Sequence, residues 1–137
     1  MWWIYALMSA LFAALTAIFS KIGIKNVDTD LATAIRTLVI LILAWGIAYF
    51  RGGIHSVQSL TKQNISFLVL SGIATGLSWI FYFKALKIGK VSQVAPVDKL
   101  SVAIAIVLSI LFLGETLTVK MAIGALMIIG GTIVLIL

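Results

Sequence analysis

Five times in this chain a run of roughly 20 residues passes with little or no charge, the length a helix rising about 1.5 Å per residue needs to cross a hydrocarbon layer of about 30 Å. The runs are Trp2–Ser20, Leu31–Phe50, Ile65–Leu86, Val91–Leu113 and Val119–Leu137. Lys21, Lys25 and the polar segment Asn26–Asp30 close the first, and Arg51-Gly52-Gly53 closes the second. Lys87-Ile88-Gly89-Lys90 parts the third from the fourth, and Gly114–Thr118 parts the fourth from the fifth. Lipid offers no water to an unpaired backbone amide, so each run must satisfy its own backbone as a helix. The predicted fold class is an all-α integral membrane protein with five transmembrane helices, at about 2–20, 31–50, 65–86, 91–113 and 119–137, in a single membrane domain over residues 1–137.

Composition removes most other readings. Of the 137 residues, 63% are hydrophobic and 10% charged, against roughly half apolar in soluble domains, which excludes most soluble enzymes, nucleic-acid binders and disordered modules. The net charge of +6 is assigned to basic loops beside a membrane, and no nucleic acid is expected as a partner. Without cysteine there is no disulfide framework, thiolate metal site or thiol nucleophile, and the single histidine, His55, lies in a loop. Neither a catalytic cluster nor a metal site nor a cofactor is expected. No Lys or Arg precedes Trp2 and the first run is too long for a signal-peptide core, so it reads as a mature spanning helix. Asp28 or Asp30 can cap the second helix and Thr118 the fifth.

Five helices put the termini on opposite sides. One side carries Lys21, Lys25, Lys84, Lys87 and Lys90, and the other Arg51, Lys62 and Lys120. This weak bias leans towards an external N-terminus and leaves insertion in both orientations open, and with it an antiparallel homodimer.

The charges inside the runs are the most informative residues. Arg36 in the second helix and Asp98-Lys99 in the fourth fall at similar depth from the same side, roughly 8–12 Å in. Ionisable groups there face the bundle or a water-filled cavity and find partners. Arg36 is expected to pair with Asp98, leaving Lys99 to reach the interface or a cavity; the pair either locks two helices together or lines a solute pathway. Arg36 plus Lys99 exceed Asp98 by one charge, which favours an anionic or zwitterionic solute. Pro96 removes a backbone donor early in the fourth helix and either bends its start or opens a gate.

In the third helix Gly72 and Gly76 form a GxxxG pair, and Gly124 and Gly131 share a face of the fifth, with Gly130 beside them; both are expected to be helix-packing or dimer surfaces. Trp79 lies deep enough to wall a cavity, whereas Tyr82, near Lys84, is assigned to the interfacial aromatic belt. Ser9, Ala13, Thr16 and Ser20 form a small polar stripe on the first helix. The candidate substrate-binding residues are Arg36, Asp98, Lys99, Trp79, Ser9 and Thr16.

Several segments resemble a known family. Ala34-Ile35-Arg36, Phe83–Lys87, Val94-Ala95-Pro96-Val97, Phe112–Leu117 and Gly124-Ala125-Leu126 with Gly130-Gly131 are similar to the EamA domain of the drug/metabolite transporter superfamily. Most members of that family carry ten helices as two inverted five-helix repeats around a central cavity, so the resemblance implies that this chain is one half and must assemble with an inverted second copy or a sister chain. Small multidrug resistance proteins are more distant dual-topology relatives, with four helices and an acid in the first; here the first helix has none, and Asp98 is the one intramembrane acid that could substitute. Glu115 falls in the family's L-G-E turn. The resemblance implies a transporter, not an enzyme, that moves a small metabolite or drug-like solute by alternating access as an antiparallel homodimer. It would sit in membrane lipid, in a prokaryotic plasma (inner) membrane. A non-catalytic subunit of a hetero-oligomeric transporter or lipid-carrier flippase is the alternative.

Overall fold

A computed structural model describes all residues, 1–137. The chain is helical throughout, with no strand: α1 (Trp2–Gly23), α2 (Thr29–Phe50), a three-ten turn at Gly53–Ser59, α3 (Lys62–Ile88), α4 (Val91–Asp98), α5 (Leu100–Leu113) and α6 (Val119–Ile136). By length and composition it has 5 membrane-spanning segments, α4 and α5 together making the span Val91–Leu113. The chain is therefore an all-α integral membrane protein. Large apolar side chains such as Leu38, Phe67, Leu111 and Val134 are exposed along these helices, as an apolar surrounding allows.

The helix ends differ from the sequence boundaries for local reasons. α1 runs past Ser20 through Lys21 to Gly23. α2 starts at Thr29, since Asp28 rather than Asp30 is its cap: the Asp28 carboxylate accepts the backbone N–H groups of Asp30 and Leu31, both at 3.0 Å. The Leu31 N–H holds this carboxyl below the usual carboxylate range; desolvation opposes the shift, and the Asp30 N–H, Lys87 and Lys84 reinforce it. Thr61 accepts from the Asn64 N–H at 3.1 Å and so begins α3 ahead of Ile65, while Thr118 caps α6 through the Met121 N–H at 3.2 Å. α5 stops at Gly114, whose φ of 69° lies in the left-handed region that glycine enters without strain.

The chain divides into two compact units, residues 19–87 and residues 1–18 with 88–137. In the first, the end of α1, the loop to α2, the start of α2 and the end of α3 are stapled together around buried Ile24, Phe83 and Leu86. Lys21 Nζ donates to the Leu86 carbonyl, one of the carbonyls that the end of α3 leaves without a helical partner. Lys87 Nζ donates to the Val27 carbonyl at 2.9 Å, and Lys84 pairs with Asp30 at 3.4 Å. Three lysines that sequence assigns to topology thus also tie helix ends, where cations interact favourably with carbonyl dipoles.

In the second unit α6 packs on α4 and α5. Ala103 and Thr132 are buried there.

Candidate functional site

Within residues 19–87 the antiparallel approach of α2 and α3 brings Arg36 onto an aromatic cluster. The Arg36 Cζ lies 3.2 Å from the centroid of the Trp79 ring and 5.9 Å from that of Phe83. Tyr82 meets Trp79 edge-on, with centroids 5.5 Å apart and an interplanar angle of 81°, and Phe83 is tilted against it at 5.9 Å. Phe83 is buried, whereas Arg36, Trp79 and Tyr82 are half-buried. An arginine over a tryptophan face is the strongest common cation–π pairing, about 2 kcal/mol when desolvated. It gives a guanidinium a home at membrane depth without a carboxylate.

The second charge cluster belongs to the other unit. Asp98 ends α4 and Lys99 joins it to α5, and their side chains pair at 3.3 Å. Each of the two groups expected to seek the other, Arg36 and Asp98, therefore has a partner inside its own unit. Pro96 lies inside α4 rather than at its start, so the Ser92 carbonyl loses its helical donor, and α4 ends at Asp98. The Lys99 N–H tightens the junction by reaching the carbonyls of Ala95 at 3.3 Å and Pro96 at 3.1 Å. The buried Thr132 of α6 places its hydroxyl 2.8 Å from the Ile128 carbonyl and 3.2 Å from that of Pro96, so one proton is shared between its own helix and the broken one.

The remaining sequence candidates stand as follows. Ser9 is exposed on α1, and Thr16 turns its hydroxyl back to the Phe12 carbonyl at 2.8 Å. A Cβ added at Gly72, Gly76, Gly124 or Gly131 would meet no atom of this chain within 4 Å, so these notches are unfilled in the single copy. Glu115 sends its N–H back to the Ser109 carbonyl at 3.3 Å, a turn contact. No group of three or more His, Cys, Asp or Glu residues is placed to hold a metal ion.

Sequence reasoning missed three contributors. Tyr82 packs on Trp79, beyond the belt role assigned to it, and Phe83 completes the cluster; the spacing of 79, 82 and 83 is a helical i, i+3, i+4 face and carried the signal. Thr132 gave none, because a threonine in an apolar run shows nothing of a carbonyl distant in sequence.

Comparison with known proteins fits this arrangement of spans. The EamA-like transporter family matches residues 1–137. This chain belongs to that family. A protein of Sinorhizobium sp described as an uncharacterized transporter in the cobO 3′ region is 43% identical over 134 residues, covering 98% of this chain and 95% of that one. An uncharacterized protein of Methanocaldococcus jannaschii is 39% identical over 77 residues, 56% of each chain. No solved structure matches. As an EamA-like protein the chain is a membrane transporter.

Proposed function

We propose that this EamA-like protein moves a small metabolite or drug-like solute by alternating access, two copies inserting in opposite orientation to complete one pathway in a prokaryotic plasma membrane. The observation that carries this reading is Arg36, a half-buried cation inside a membrane span that rests on Trp79 rather than on a carboxylate. Such a residue is expensive in lipid, and its usual role is to meet a solute or ion on its path. In the assembled dimer the solute would meet Arg36 and Trp79, and Asp98, Lys99, Ser9 and Thr16 would line the route. The broken helix at Pro96 would supply the mobile segment. Unfilled faces at Gly72 and Gly76 and at Gly124 and Gly131 suit close approach of a second copy. The bacterial and archaeal relatives support the prokaryotic setting.

The absence of native cysteine makes the test clean. Asn26→Cys and Gln58→Cys lie in loops on opposite sides of the membrane, and both should label partially in intact cells with an impermeant thiol reagent. Labelling of one site alone would defeat the dual-orientation homodimer and require an inverted partner chain.

A further inference from the structure

The two ion pairs of the chain identify which intramembrane cation is in excess. Lys99 is neutralised by Asp98 at 3.3 Å, and Lys84 by Asp30 at 3.4 Å; Arg36 belongs to neither pair. Of the two cations that lie well inside the spans, Arg36 and Lys99, the one without a carboxylate partner is therefore the guanidinium. Trp79 covers one of its faces at 3.2 Å, which leaves the N–H groups that radiate in the guanidinium plane as the part able to bind. Those donors match a planar carboxylate through two parallel hydrogen bonds. In residues 19–87 the carboxylates are Asp28, engaged as a helix cap, and Asp30, paired to Lys84, and Asp98 on the proposed route is paired to Lys99, so none of the three is free as a counter-charge to a ligand ammonium. A phosphate dianion would need a second cation, and the side chains that the structure places against the Arg36 guanidinium are the aromatic rings of Trp79 and Phe83.

We infer that the Arg36–Trp79 site takes a small monocarboxylate, held end-on by the guanidinium edge, with Trp79 as the platform that fixes the plane of the fork. The inference rests on reading Arg36 as part of the transport route and adds the class of solute. Trp79 reports on its own occupancy. With Trp2, Trp3 and Trp45 replaced by phenylalanine, it is the sole tryptophan.

The test titrates this variant in lipid nanodiscs with benzoate, benzamide, benzylammonium and inorganic phosphate, following Trp79 fluorescence. Benzoate should give a saturable change, and the other three should not. Arg36→Lys keeps the charge, and so the insertion, but loses the fork; it should bind benzoate at least about tenfold more weakly, with Arg36→Gln weaker still. Helical circular dichroism checks that each variant is folded. A response to benzylammonium or phosphate equal to that for benzoate, or an unchanged affinity in Arg36→Lys, overturns the inference. Proteoliposome flux separates it from the wider reading. Uptake of benzylammonium without benzoate overturns the carboxylate site and leaves the transporter standing, whereas benzoate binding without any flux supports the site and counts against its place on a transport route.

Discussion

The hydroxyl of Thr132 on α6 lies 3.2 Å from the carbonyl of Pro96 on α4, joining a packed helix to the residue that breaks its neighbour. Thr132 is only 4% exposed and Pro96 is half-buried, so the donor of this bond is shielded within its own unit. A shielded hydrogen bond contributes about 1 kcal/mol net, and here its loss also removes one tie between α6 and the α4–α5 junction. Thr132→Val keeps the shape and removes the donor, so it should destabilise by about 1 kcal/mol in thermal unfolding in detergent. Amides around Lys99 and Val102 should exchange faster. Thr132→Ser should restore most of the protection; if it does not, the methyl group rather than the hydroxyl holds the junction.

The adjacent pair at that junction gives a second expectation. Asp98 and Lys99 neutralise one another inside a span. Asp98→Asn or Lys99→Gln alone leaves an unpaired charge, which costs about 2.5–3.5 kcal/mol on insertion scales. Each single variant should lower the yield of inserted protein, and the double variant should recover it. The double variant then separates two roles: recovered insertion with lost flux means the pair meets the solute, and recovery of both means it only keeps the broken helix neutral.

These contacts also show what could be read from the residues and what could not. The five spans were legible because a run such as Val119–Ile136 has one physical solution in lipid. Span ends were less so, since a charge normally marks the interface: Lys21 reads as the end of a helix, yet α1 carries it on to bond the Leu86 carbonyl. The depth of Arg36 was legible, and its importance with it. Its partner was not, because matching charges by depth favours Asp98, while an aromatic face gives a competing solution visible only once α2 and α3 are placed side by side. Thr132 lies beyond pattern reading altogether, since its meaning comes from a carbonyl on another helix.

Acid should loosen the stapled end of residues 19–87 through Asp28. Its carboxyl lies below its ordinary value of 3.8 when folded, chiefly because the Leu31 N–H binds the ionised form. On unfolding that bond is gone, so as pH falls the unfolded chain takes up the proton first. The stabilisation is complete above the unfolded value and disappears as pH drops through the lower folded one. Asp28→Asn still caps but cannot titrate. Between pH 6 and pH 3 the wild type should lose more thermal stability than Asp28→Asn, and parallel curves would show that the carboxylate contributes nothing through its charge.

The glycine notches make the last prediction one of sign. A methyl group at Gly72, Gly76, Gly124 or Gly131 has nothing within 4 Å to strike inside this chain. Replacing a helical glycine by alanine ordinarily stabilises a helix by about 0.5–1 kcal/mol, because less backbone freedom is lost on folding. The single copy should therefore unfold no more easily in Gly72→Ala/Gly76→Ala or Gly124→Ala/Gly131→Ala. A packed interface responds in the opposite direction, since small residues at this spacing act by letting two backbones approach closely and even a methyl group holds them apart. If these faces receive the second copy, energy transfer between donor- and acceptor-labelled chains in vesicles should fall in the alanine variants while unfolding of the single chain holds or improves. Undiminished transfer in both double variants would remove the glycine faces from the interface and move the search to another surface.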